Sequence, residues 1–202
     1  MTTQITIIRH GETHWNLEQK YQGQLDSDLT GKGIRQVKKT AQLLKNKPFD
    51  VFYSSDLGRA VESAEILNHD LNLDITLCPE LRERNFGVIQ GMSKETIAQQ
   101  YPELYRQLNF HNVNFSVDDG ETFQAFYERV IKSMVHIEKQ NRGQRILIMA
   151  HGGILNCLFR YINDIPLEAP RRFSIPNGGI NAFTVNEDTW MIETWGLDPA
   201  YI

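Results

Sequence analysis

The run Ile146-Leu147-Ile148-Met149-Ala150 constrains this chain more than any other stretch. It is near-continuously apolar, so as a strand it has no face to offer to water. Strands of that kind belong to sheets covered on both faces, which are mainly parallel and covered by helices. The run is far too short to cross a bilayer. Residues 4–9, with Ile5, Ile7 and Ile8, read as a second strand of the same sort.

Between the strands the spacing turns helical. Thr30–Asn46 places Ile34, Val37, Ala41 and Leu44 at helical intervals and stops before Pro48. Val51–Ser54 reads as a strand, and Asp56–Asn68 as a helix with Ser55 or Asp56 as its N-cap. Asp74–Cys78 is another strand. Residues 80–120 are less regular, with Gly87, Gly91, Pro102 and Gly120 among many polar groups. Glu121–Lys139 is a long amphipathic helix whose inner face carries Phe123, Phe126, Val130 and Met134. Gly152–Tyr161 is a further helix. Asn181–Val185 and Thr189–Thr194 alternate about Asn186-Glu187-Asp188 and predict a terminal hairpin, with Trp190 and Trp195 as sheet packing. The expected class is α/β: three α/β/α layers about a mainly parallel sheet ending in a hairpin, with a small inserted cap.

Open α/β sheets bind ligands beyond the carboxyl ends of their strands. Here those ends are chemically loaded. The first strand ends in Arg9-His10-Gly11-Glu12-Thr13, and the second in Ser54-Ser55-Asp56, with Arg59 just beyond. The strand at 145–150 ends in His151-Gly152-Gly153. A guanidinium offers a rigid fork of donors to phosphate oxygens, and an imidazole is a competent nucleophile toward phosphorus. A zinc site on His10 and His151 is disfavoured, because no carboxylate or thiol cluster accompanies them at ligand spacing. His14, His69, His111 and His136 read as incidental.

The 202 residues suit one domain, 1–202, with residues 80–120 as a cap segment inserted within it. A net charge of −4 offers no basic field, so no nucleic-acid partner is expected. Cys78 and Cys157 lack metal-ligand spacing and read as core thiols of a reducing compartment. With no signal-peptide pattern at the start, a cytoplasmic location and no membrane partner are expected. Whether the chain forms a homodimer is left open.

Several spaced blocks resemble, in order, the histidine phosphatase superfamily, also called phosphoglycerate mutase-like. They are Arg9-His10-Gly11-Glu12-Thr13 with Trp15-Asn16; Gln22-Gly23, Asp26, Leu29-Thr30 and Gly33; and Ser54-Ser55-Asp56-Leu57 with Arg59-Ala60 and Ala64. Leu81-Arg82-Glu83 with Phe86-Gly87 and Gly91, Gly120-Glu121 with Arg129, and Ala150-His151-Gly152-Gly153 follow. The resemblance implies that His10 accepts a phosphoryl group, with its other ring nitrogen held by a backbone carbonyl. It implies that Arg9, Arg59, His151 and Asn16 form the phosphate pocket, and that Glu83 is the general acid and then the base. Gln22, Gly23, Lys94 and Gly152 would join Asn16 in binding the substrate. No metal and no cofactor is implied; the partner is a small phosphorylated substrate.

The same resemblance favours a phosphatase over a mutase. Cofactor-dependent mutases of the family are generally longer and grip the glycerate carboxylate with an Arg-Arg pair. Residues 101–119 offer only Arg106 and His111, and Arg171-Arg172 follows the last helix instead. Ile89-Gln90-Gly91 stands where many small phosphatases carry Trp-Glu-Gly. Lys94 matches a mutase lysine in position, and Phe86 replaces the mutases' tyrosine. A cofactor-dependent phosphoglycerate mutase, a protein phosphohistidine or phosphotyrosine phosphatase, and an inactive phospho-ligand binder are the alternatives.

Overall fold

The computed structural model describes residues 1–108 and 112–202, so His111 lies outside the described residues. The strands are β1 (Thr3–Arg9), β2 (Val51–Ser54), β3 (Ile75–Leu77), β4 (Arg145–Ala150), β5 (Ile180–Asn186) and β6 (Thr189–Leu197). The helices are α1 (His14–Leu17), α2 (Gly31–Leu44), α3 (Gly58–Asn68), α4 (Lys94–Gln100), α5 (Pro102–Leu108), α6 (Phe123–Gln140) and α7 (Gly152–Ile162).

Among the described residues the strands form one sheet in the order β3-β2-β4-β1-β5-β6. β1, β2, β3 and β4 run parallel, and β5 pairs antiparallel with β1 and β6. The apolar strand β4 sits between β1 and β2, where it must bury both faces. Ile146 and Ile148 face a core shared with Phe126, Val130 and Met134 of α6 and with Leu155 and Leu158 of α7. Leu147 and Met149 face the other core, with Val37 and Leu44 of α2 and Ala60 and Leu67 of α3. These helix pairs are the two outer layers. The β5–β6 turn is held by Glu187 and Asp188, both left-handed (φ 49 and 64), as two-residue hairpin loops of this twist require.

Register brings the loaded strand ends together. Arg9 pairs with Ala150, and Ser54 with Met149, so His10, His151 and Ser55 emerge side by side from three adjacent strands. Gly11 permits the turn that follows: a Cβ there would sit 2.6 Å from the Gly33 carbonyl oxygen.

Several boundaries differ from expectation for reasons of tertiary structure. α3 is capped neither by Ser55 nor by Asp56. Leu57 is its N-cap and makes no side-chain cap bond. The Asp26 carboxylate instead accepts from Gly58 N (2.7 Å) and Arg59 N (3.3 Å), while Asp56 holds Arg82. α6 begins after Thr122, whose hydroxyl accepts from Ala125 N; Glu121 pairs with Arg129 instead. Residues 80–120 contain two short helices, α4 and α5, that their weak periodicity does not announce. Ser93 caps α4, and a cluster built on Ile89, Ile97 and Val117 packs the segment together. Cys157 is buried, but Cys78 is only partly so. Trp195 stacks against Phe159 and Phe173. No described helix is long and apolar enough to cross a membrane.

Candidate active site

His10 is 3% exposed and His151 fully buried, with ring centroids 5.2 Å apart. His10 Nδ1 lies 2.8 Å from the Gly11 carbonyl oxygen. A carbonyl only accepts, so Nδ1 carries the proton, and the lone pair of the neutral ring lies on Nε2. Arg59 Nε donates to that Nε2 at 3.3 Å. Asn177 Nδ2 donates to the His10 carbonyl and to Asn16 Oδ1, tying the loop before β5 to this strand end. Asn16 Oδ1 also accepts from Thr13 N within the capping box of α1.

Arg59 is buried, and four of its five N–H groups have protein acceptors. Besides His10 they are the carbonyls of Leu25 (2.7 Å) and Gly23 (2.7 Å) and Asp26 Oδ1 (2.8 Å). Gly23 thus holds Arg59 rather than lining the cavity. Arg9 is the reverse case: Nη1 donates to the Ile175 carbonyl at 2.6 Å, and the buried Nε has no protein partner. His151 Nε2 bonds Ser55 Oγ at 2.8 Å, which leaves its buried Nδ1 unpartnered too. Buried polar groups are seldom left so: Arg9 Nε is a donor in any state, His151 Nδ1 is one when the Ser55 hydroxyl donates to Nε2, and with the His10 lone pair and two guanidiniums beside them they suit an anion.

Burial, then the charges of Arg59 and Arg9, hold the His10 pKa well below 6.5. Burial and Arg59, with His10 and Arg9, do the same to His151. Burial also lowers Arg9, to about 10. The sign for stability follows. Both imidazoles regain an ordinary pKa near 6.5 on unfolding, so below that pH the unfolded chain binds more protons. Each then removes up to about 1.4 kcal/mol of stability per pH unit. Thermal melts of the unliganded protein should show Tm falling between about pH 6.5 and pH 5, above the range where carboxylates titrate. His10→Gln should flatten that slope. A Tm independent of pH across the window would contradict the burial of two neutral rings.

Glu83 lies across from these groups. Oε1 accepts from Arg84 N and Oε2 from Gly153 N, both at 2.8 Å. Gly153 must be glycine, because a Cβ would come 1.9 Å from Glu83 Oε1. Arg129 supports the turn by donating to the carbonyls of Arg82 and Glu83, and Gln24 donates to the latter as well.

A cavity of ≈ 490 Å³ opens outward from Arg9, Glu83 and Gly152. Phe123, Phe126, Leu108, Val113 and Phe115 are among its wall residues. Lys94 does not reach it. That side chain is exposed and lines a smaller hollow with Asn16, Trp15 and Tyr21. Gln22 is buried, with Oε1 unpartnered, but is not a wall residue either. Arg106 is exposed and pairs with Glu103. Sequence reasoning missed Arg171, which does line the cavity, and the supporting Ser55, Asn177 and Asp26. Asp26 and Ser55 stood in motifs, but none of these residues announces its partner locally.

Residues 5–198 match the histidine phosphatase superfamily (branch 1). A protein of Citrobacter koseri named "Probable phosphoglycerate mutase GpmB" is 34% identical over 98% of this chain and 92% of its own. Among solved structures, Bacillus stearothermophilus YhfR superposes with a TM-score of 0.89 at 28% identity, covering 96% of this chain and 97% of that one. The alpha-ribazole phosphatase from Shigella flexneri superposes with a TM-score of 0.88 at 29% identity, covering 96% of each chain.

Proposed function

From a chain that belongs to the histidine phosphatase superfamily, we propose a phosphatase that hydrolyses a small phosphorylated metabolite, a sugar phosphate or phospho-acid, through a phosphohistidine at His10. The observation that carries this reading is the grouping of the His10 Nε2 lone pair with two buried, unpartnered nitrogens, the Arg9 Nε donor and His151 Nδ1.

The reaction has two halves. His10 Nε2 attacks phosphorus and the bond to the leaving oxygen breaks, while Glu83 gives its proton to that oxygen. Water then attacks phosphorus, the P–N bond breaks, and its electron pair returns to Nε2 as Glu83 takes a proton from the water. Arg9, Arg59, His151, Asn16 and the Gly152 end of α7 meet the charge on the equatorial oxygens. Gly23 supports that pocket through Arg59, and the buried Gln22 precedes it in the same loop. Lys94 faces the smaller hollow beside Asn16 and not the leaving group. The 80–120 segment caps the site, since Leu108, Val113 and Phe115 line its cavity. That lining leaves little room for a folded protein substrate.

A mutase is the second reading, motivated by the name of the relative with 34% identity. A panel of phosphorylated metabolites, monitored both for free phosphate and for positional isomers, separates the two. Steady release of phosphate from at least one member is expected, and EDTA should leave the rate unchanged, because guanidiniums do the work a divalent ion does elsewhere. Isomers without phosphate would establish the mutase. No turnover of any member would overturn both, and activity lost in EDTA and restored by a divalent ion would overturn the metal-independent mechanism.

A further inference from the structure

The cavity beyond the phosphate position carries more positive charge than hydrolysis of a bare phosphate requires. Arg84, Arg160 and Arg171 all line it. Among the described residues none of the three guanidiniums has a carboxylate oxygen within 4.0 Å. Among the described residues the only carboxylate in the wall is Glu83, and both its oxygens are engaged.

Two of these arginines are occupied in holding the walls. Arg84 donates to the carbonyls of Glu121 (3.0 Å) and Phe115 (3.3 Å) and lies over the Phe86 and Phe123 rings. Arg160 donates to Asn156 Oδ1 and to the carbonyls of Pro166 and Ala169. It thereby pins the loop that follows α7, the loop that carries Arg171. Arg171 itself is exposed at the rim and makes no hydrogen bond or ion pair among the described residues. Its charge is felt at Arg9 and at Arg160, where it opposes theirs.

The rest of the wall is wide and mixes apolar side chains with the amides of Gln107, Asn112 and Asn156. Phe115, Phe123, Phe126, Leu108 and Leu167 face the ≈ 490 Å³ space. A three-carbon leaving group would fill a minor part of it, and cavities of this size enclose drug-sized ligands.

We infer that Arg171 selects phosphomonoesters whose alcohol half is a bulky, largely apolar or aromatic body bearing a second anionic group, a carboxylate or a phosphate. This rests on the phosphatase reading above and adds the class of substrate to it. The aromatic walls take the body, and Arg171 takes the distal anion with the planar fork that suits either group.

Three aryl phosphates with similar leaving groups test it: para-ethylphenyl phosphate, para-(carboxymethyl)phenyl phosphate and hydroquinone bisphosphate. Wild-type enzyme should prefer at least one of the two anionic esters over the ethyl ester by roughly tenfold in kcat/KM, chiefly through KM. Which of the two is preferred identifies the anion. In Arg171→Gln the ratio of anionic to ethyl ester should fall to near one, and Arg171→Lys should restore part of it. No preference in the wild type, or a preference that survives Arg171→Gln, overturns the inference and leaves the phosphatase reading standing. Failure to hydrolyse all three overturns that reading and the inference with it.

Discussion

His10→Ala should reduce phosphate release by roughly four orders of magnitude or more while the protein still folds. The expected loss is large because no other nucleophile is placed to replace it. His151 is buried and bonded to Ser55 through one of its ring nitrogens. The substitution removes a buried ring and the acceptor of Arg59 Nε, but Arg59 keeps Leu25, Gly23 and Asp26. Circular dichroism and a thermal melt establish that the fold survives. Quenched wild-type enzyme should carry label that is lost in acid and kept in base, and the variant should carry none. Release within a few-fold of wild type would remove the covalent mechanism.

Glu83→Gln should show a loss that depends on the leaving group. For an alkyl phosphate, whose oxygen must be protonated as it departs, the first phosphoryl transfer should slow by roughly 10²–10⁴-fold. For an aryl phosphate activated by a nitro group the oxygen leaves as an anion, and the same step should change by no more than several-fold. The comparison belongs in the first turnover, because Glu83 also serves as base when water attacks. Glutamine keeps one oxygen for Gly153 N or Arg84 N but turns an amide donor toward the other, so the melt should be recorded beside the kinetics. Equal losses for both substrates would make Glu83 a binding or structural residue, and Glu12 or Glu121 would then be examined as the acid. Both already have partners, Lys32 and Arg129, which makes either a poorer donor.

The chemistry at the strand ends was legible because its signals are local. Apolar runs, a glycine at the turn and helical spacing mark where β1 and β4 stop, and His10 and His151 follow at once. The supporting partners were not, because they lie far off in sequence: Ser55 is 96 residues from His151, Asp26 is 33 from Arg59, and Asn177 is 167 from His10. Helices α4 and α5 escaped for a related reason. Each has only seven residues, too few for periodicity to show, and they are held by a tertiary cluster rather than by propensity.

By itself the sequence determined an α/β sheet with two histidines and two arginines at strand ends, and with it the expectation that a phosphate binds there. A two-faced apolar strand can only be buried one way, and the side chain after its last residue must emerge at the sheet's edge. Only the tertiary structure decided which donors stay free for that phosphate and what surrounds its leaving group. Strand register sets the pairing of His151 with Ser55, a distant loop supplies the carboxylate that caps α3, and the loop after α7 brings Arg171 to the rim. Those outcomes depend on which surfaces meet in three dimensions, and no local pattern of residue types encodes a meeting across the fold.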